Sequence, residues 1–174
     1  MFLDGMDVEC CLAVPSVGDA VRWSLIWSDE PDHPAATDIP WTGAELRLDD
    51  EESRHIGVAS GYLLTSGRVS AWWRGAGGRA LPLRGVLSAG AHGFVPEAVP
   101  ATRGRAREVS LVIGTDRDTG WGRREEVPDG TSTWPIAEGV SWADWEEFAA
   151  LAGPLPARHE RSPRGVLVVV DLTP

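Results

Sequence analysis

Two thiols and an imidazole are the side chains here best suited to chemistry: the adjacent Cys10 and Cys11, and His55. Thiolate and imidazole are the usual protein ligands of zinc, and a thiolate beside an imidazole is the usual thiol nucleophile. Either use requires at least one sulfur to meet His55 in a pocket. The competing reading is structural. On a strand neighbouring side chains face opposite ways, so only one cysteine could join a given site while the other entered the core. A free cysteine mostly behaves as a small buried hydrophobe. Neighbouring cysteines do not bridge readily and provide no disulfide framework, which suits a reducing cytoplasm. His55 follows Arg54 at the close of an acidic run, a place for a surface or capping histidine. His33, His92 and His159 stand in segments bounded by Pro or Gly, without ligand spacing.

The second chemical resource is aromatic. Nine tryptophans occur in 174 residues. Trp23 and Trp73 fall at inward positions of alternating runs, and Trp142 and Trp145 lie on one stripe of a helical segment, so packing accounts for these four. Trp27 and Trp72 are out of phase with a one-faced strand. Trp41, Trp121 and Trp134 lie beside Pro or Gly in segments read as loops, where an aromatic either plugs the end of a barrel or offers a binding surface. The basic cluster Arg103, Arg105 and Arg107, with Arg123 and Arg124, could hold an anion; Glu108, Glu125 and Glu126 close by favour a paired, solvated surface.

Other signatures are absent. The glycine clusters lack the Gly-Lys-Ser/Thr ending of a phosphate loop, and no lysine occurs anywhere in the chain. There is no GxSxG elbow, HExxH or CxxC. The segment Asp116-Arg117-Asp118 opens like a calcium loop but lacks the later glycine and glutamate. With 16 basic against 26 acidic residues the net charge is -10, which disfavours nucleic acid and anionic membrane surfaces as partners and leaves a basic protein partner open. The N-terminus carries acidic residues where a signal peptide carries positive charge, and no apolar run approaches the ~18 residues of a membrane helix.

The elements that must position these residues are mostly strands. Apolar alternation over residues 6–12 and 21–25 predicts strand, turn, strand. Pro31, Pro34 and Pro40 mark residues 28–42 as a surface loop. Residues 45–52 read as a short edge strand running into a solvated acidic turn. Residues 56–73 return to β with glycine punctuation, 81–87 and 108–113 are further strands, and 88–107 is irregular. Residues 114–139 have no periodicity and are expected to be one long loop. One helix follows, capped by Ser141 with Asp144 in its first turn and stopped by Gly153-Pro154. The unbroken apolar run of the last strand, residues 165–172, predicts burial on both faces. Length and composition fit a single domain over residues 1–174. The expected fold is mainly β, a small partly open β-barrel of the OB-like or SH3-like kind, with one C-terminal helix before the last strand.

The stretch Asp7-Val8-Glu9-Cys10-Cys11, followed by Val17-Gly18-Asp19-Ala20-Val21-Arg22-Trp23, resembles an uncharacterised family of small actinobacterial proteins in which a Cys-Cys pair precedes a VGDxVxW segment. That family has an aromatic and a glutamine before the cysteines and His-His where Arg54-His55 stands here. The resemblance implies a host and a fold but no activity. The residues therefore point first to a non-enzymatic protein-binding module without a cofactor, using Trp41, Trp121 and Trp134 toward a protein such as a basic toxin. A metal- or thiol-dependent enzyme using Cys10 or Cys11 with His55, zinc being the metal, is the second expectation. A small structural subunit of a larger assembly is the third.

Overall fold

The structure, a computed structural model, describes residues 1–75, 84–90, 94–136 and 145–172. The first elements are β1 (Phe2–Asp4), α1 (Gly5–Cys10), β2 (Ala20–Trp23), β3 (Leu25–Ser28), β4 (Thr37–Asp38) and β5 (Thr42–Arg47). Next come α2 (Asp50–Ile56), β6 (Ser60–Ser66), β7 (Val69–Trp73) and β8 (Arg84–Ala89). The chain continues with β9 (Thr102–Gly120), β10 (Arg123–Glu126), β11 (Ser132–Pro135), α3 (Trp145–Leu151) and β12 (His159–Leu172). The protein is mainly β. Among the described residues no helix is long and apolar enough to cross a membrane.

The chain divides into two compact units. The first comprises Met1–Phe2, Ala20–Arg105 and Val170–Pro174, the second Leu3–Asp19 and Ala106–Val169. The units interleave in sequence, so no linker or change of composition marks a boundary.

In the first unit β5, β6 and β7 form an antiparallel meander. Strand β3 pairs in parallel with β7 and antiparallel with β8. Phe2 of β1 lies parallel beside Ser88, β4 adds to β8, and β2 pairs with the first residues of β9. Leu25, Trp27, Trp41, Leu64, Ala71, Trp73 and Leu87 form a core, and Met1, Trp23 and Tyr62 pack on it half-buried. The tryptophans that break the alternation, Trp27 and Trp72, are among the deepest, at 1% and 0% exposed. Strand β7 is covered on both faces at Trp72 and Trp73, so a one-faced pattern does not apply. Gly61 makes room for this: a Cβ there would collide with the Trp72 indole and the Trp73 carbonyl.

In the second unit the later part of β9 pairs antiparallel with β10 and β11. Leu3, Ala106, Val109, Leu111, Val112, Ile113, Val166 and Val168 are among its buried apolar residues. Strand β12 does not bury its whole apolar run: Val166 and Val168 are inaccessible, whereas Val169 faces solvent. Among the described residues the strand order does not return on itself but ends at β5 and at β10, so the sheet is not closed.

Several local expectations are corrected. Residues 5–10 are helix, not strand, because Asp4 caps them, its side chain accepting from Met6 N at 2.9 Å, with Asp7 in the first turn. The acidic run is not a solvated turn but the start of α2. Asp49 accepts from the amides of Glu51 and Glu52 at 2.9 Å each, three carboxylates occupy the first turn, and Gly57 ends the helix in a left-handed conformation. Residues 102–107 belong to β9. Its arginines face out, and Thr102, Gly104 and Ala106 face in, residues too small or polar to show as an apolar alternation. Within the expected loop of 114–139, residues 114–120 end β9, 123–126 form β10 and 132–135 form β11, while 137–139 lie outside the described residues. Ser141, Trp142 and Asp144 of the expected helix lie outside the described residues, as does His92. Arg161 binds the chain just past and within the last turn of α3, donating to the carbonyls of Ala149, Ala152 and Gly153 at 2.8–3.0 Å.

Candidate functional site

The hairpin of β9 and β10 is built by polar pairing, which explains why its sequence lacks an apolar period. Arg124 stands opposite Asp118, Glu125 opposite Arg117 and Glu126 opposite Asp116, with a register shift between Arg123 and Arg124. Arg117 and Glu125 form an ion pair at 3.2 Å. Asp118 Oδ1 accepts from Gly120 N at 2.7 Å, and Thr119 Oγ1 donates to the Arg123 carbonyl at 3.2 Å. These bonds tie both strands up to the two-residue turn, Trp121-Gly122.

That turn holds the most unusual side chain of the second unit. Trp121 is 102% exposed and its φ is 56°, between Gly120 at 93° and Gly122 at 72°. Positive φ at both central residues is what a tight hairpin turn demands, and Asn-Gly or Gly-Gly normally supplies it. A tryptophan in the left-handed region costs about 1–2 kcal/mol, and here no buried contact offsets it. Such strain is concentrated at functional positions.

Behind the turn, Asp116, Asp118, Gly122, Arg124, Arg158, His159 and Glu160 line a cleft of about 280 Å³. Its walls carry both signs of charge. Arg124 pairs with Glu160 at 2.8 Å, and Arg158, another residue with positive φ (63°), accepts through its carbonyl from Asp118 N at 2.8 Å. Asp116 is 8% exposed and accepts from Ser162 Oγ at 3.0 Å and from Arg164 Nη2. Arg164 Nε is buried without a hydrogen-bond partner. This floor is rigid because both oxygens of the buried carboxylate are engaged. Nothing in the sequence groups Asp116 and Asp118 with residues 158–164, since β9 and β12 meet only in the fold.

Compared with protein-family models, with curated proteins and with solved structures, the chain matches none.

The residues singled out from the sequence separate sharply. Trp121 is the exposed side chain at the β9–β10 turn. Trp134 lies half-buried on β11 opposite Leu111, its Nε1 donating to Ser132 Oγ at 3.1 Å. Trp41 offers no binding surface: it is 7% exposed in the core of the first unit, edge-on to Trp27 with ring centroids 5.2 Å apart. Cys10 and Cys11 are exposed and bonded to each other as a vicinal disulfide, against the expectation that neighbouring cysteines stay apart. His55 is exposed in the last turn of α2, where its position suits a helix C-terminus. It lines a cleft of about 710 Å³ with Asp49, Glu51, Glu52, Ile56, Val95, Glu97 and Ala98. Glu52 Oε1 accepts there from Glu97 N at 3.0 Å. Among the described residues no group of three or more His, Cys, Asp or Glu could hold a metal ion.

Proposed function

We propose that the protein is a non-enzymatic interaction module that binds another protein through the β9–β10 hairpin, with Trp121 as its anchor. The observation that carries this reading is a fully exposed tryptophan held in left-handed backbone at a two-residue turn. A large rigid aromatic with nothing to pack on in its own chain is the kind of residue that dominates binding energy when a partner desolvates it. The mixed-charge cleft behind it would supply the polar rim that fixes register. With a net charge of -10 the preferred partner is a basic protein, drawn in by long-range attraction. The cytoplasm is the proposed setting.

The experiment uses the full chain as immobilised bait, wild type beside Trp121→Ala, with thermal melts to show that both are folded. A central aromatic hot spot contributes on the order of 2 kcal/mol or more, so the substitution is expected to weaken the captured partner at least about 30-fold. Capture should also fall as salt rises. A partner retained equally by both baits would overturn the assignment of Trp121, and with it the reading.

A further inference from the structure

The Cys10–Cys11 disulfide lies apart from the hairpin in sequence and is independent of the reading above. Cys10 is the last residue of α1 and Cys11 its C-cap, both exposed. A trans peptide holds neighbouring Cα atoms about 3.8 Å apart, below the usual 4.4–6.8 Å of protein disulfides, so any bridge between neighbours closes a strained ring. Strained or exposed disulfides are the labile ones, whereas buried, relaxed ones resist reduction. The bridge also constrains no loop: its half-cystines are one residue apart, so loop closure gives it almost no stabilising role. Helix α1 has no fully buried residue, and both half-cystines lie on its exposed C-terminal end.

We propose that Cys10 and Cys11 form a solvent-facing two-electron redox couple that exchanges with small thiols, cationic ones foremost. In the first step the thiolate of a small thiol attacks one sulfur. The bond between the two cysteine sulfurs breaks, leaving a mixed disulfide on one cysteine and a thiolate on the other. A second small thiolate attacks the mixed disulfide, releasing the small disulfide and the second cysteine thiolate. The two protons lost by the small thiols end on Cys10 and Cys11. The protein disulfide is reduced by two electrons and two thiols are oxidised to one disulfide. The preference for a cationic thiol follows from charge: Asp4 caps the helix, Asp7 and Glu9 lie on it, and the whole chain carries -10. An anionic thiol approaches against that field, and a cationic one with it.

The test follows alkylation of the folded, full-length chain by mass spectrometry during incubation with cysteamine or 3-mercaptopropionate, with rates normalised to thiolate concentration. The expected result is no alkylation before reduction and two alkylated cysteines afterwards, without denaturant. Cystamine should then restore the unreactive form. Cysteamine should react several-fold faster in 10 mM salt, with the gap shrinking in 1 M salt. Cys10→Ser and Cys11→Ser, each treated with cystamine, should stop at a stable single adduct. Two thiols that stay reactive in excess cystamine would overturn the couple, as would a bridge opened only in denaturant. Equal normalised rates at both salt concentrations would overturn the preference for cationic thiols. Far-ultraviolet circular dichroism of the double serine variant checks that the fold persists.

Discussion

Replacing Trp121 by Asn should make the protein more stable, the reverse of what removing a tryptophan normally does. A buried tryptophan contributes on the order of 3–5 kcal/mol through packing. Trp121 is 102% exposed, so truncation removes no burial. What it does remove is the penalty of holding a bulky L-residue at φ 56°, about 1–2 kcal/mol. Asn tolerates the left-handed region and avoids the extra unfolded-state entropy of Gly, so most of that penalty should be recovered, about 1 kcal/mol net. With a urea m-value of about 1–3 kcal/mol/M this is a rise in midpoint of roughly 0.5 M, and in the thermal midpoint of about 2–4 °C. Urea titration of the two chains, followed by circular dichroism, measures it. A fall of more than about 0.5 kcal/mol, beyond the scatter of surface substitutions, would mean that Trp121 packs against its own chain, and would remove the argument that its strain is kept for a partner.

Two further outcomes can be measured. Gly61→Ala should lower stability by about 3 kcal/mol, at the upper end of overpacking, because the new Cβ meets the inaccessible Trp72 ring and a backbone carbonyl at once; an unchanged thermal midpoint would show that the sheet can move aside. In the chain beginning at Met1, burial against the first unit's core lowers the α-amine from 8.0 to about 6. Protonation therefore favours the unfolded chain: the full penalty is present below pH 6, and stability rises by about 2–3 kcal/mol in all as pH climbs from 6 to 8. Urea midpoints of the free and N-acetylated chains across that range should diverge toward low pH if this holds, and run parallel if it does not.

Some of the architecture was legible because it depends on local chemistry. The strand periodicity of residues 60–73, broken by Gly67 at φ 57°, reads directly as β6, turn and β7. The helix at 5–10 is masked in the sequence by the alternation of Val8, Cys10 and Leu12, although Asp4 with Asp7 three residues on is itself a cap signal. Trp41 could not be placed from its proline-flanked surroundings, because whether an aromatic in such a segment covers a core or faces solvent depends on what lies beneath it. Beneath it is Trp27.

By itself the sequence determined the β-rich character, the acidic surface and the lack of phosphate-loop, serine-hydrolase and metalloprotease motifs. These follow from residue type and short-range spacing. Tertiary structure decided which tryptophan is exposed, that most of residues 114–135 pair as strands, and that the chain divides into two interleaved units. It also joined Asp116 to Ser162 and Arg164. Those outcomes depend on contacts between residues distant in sequence, in a hairpin held by polar pairs and a turn in which Trp121 stands where Asn or Gly is usual. No local pattern encodes them.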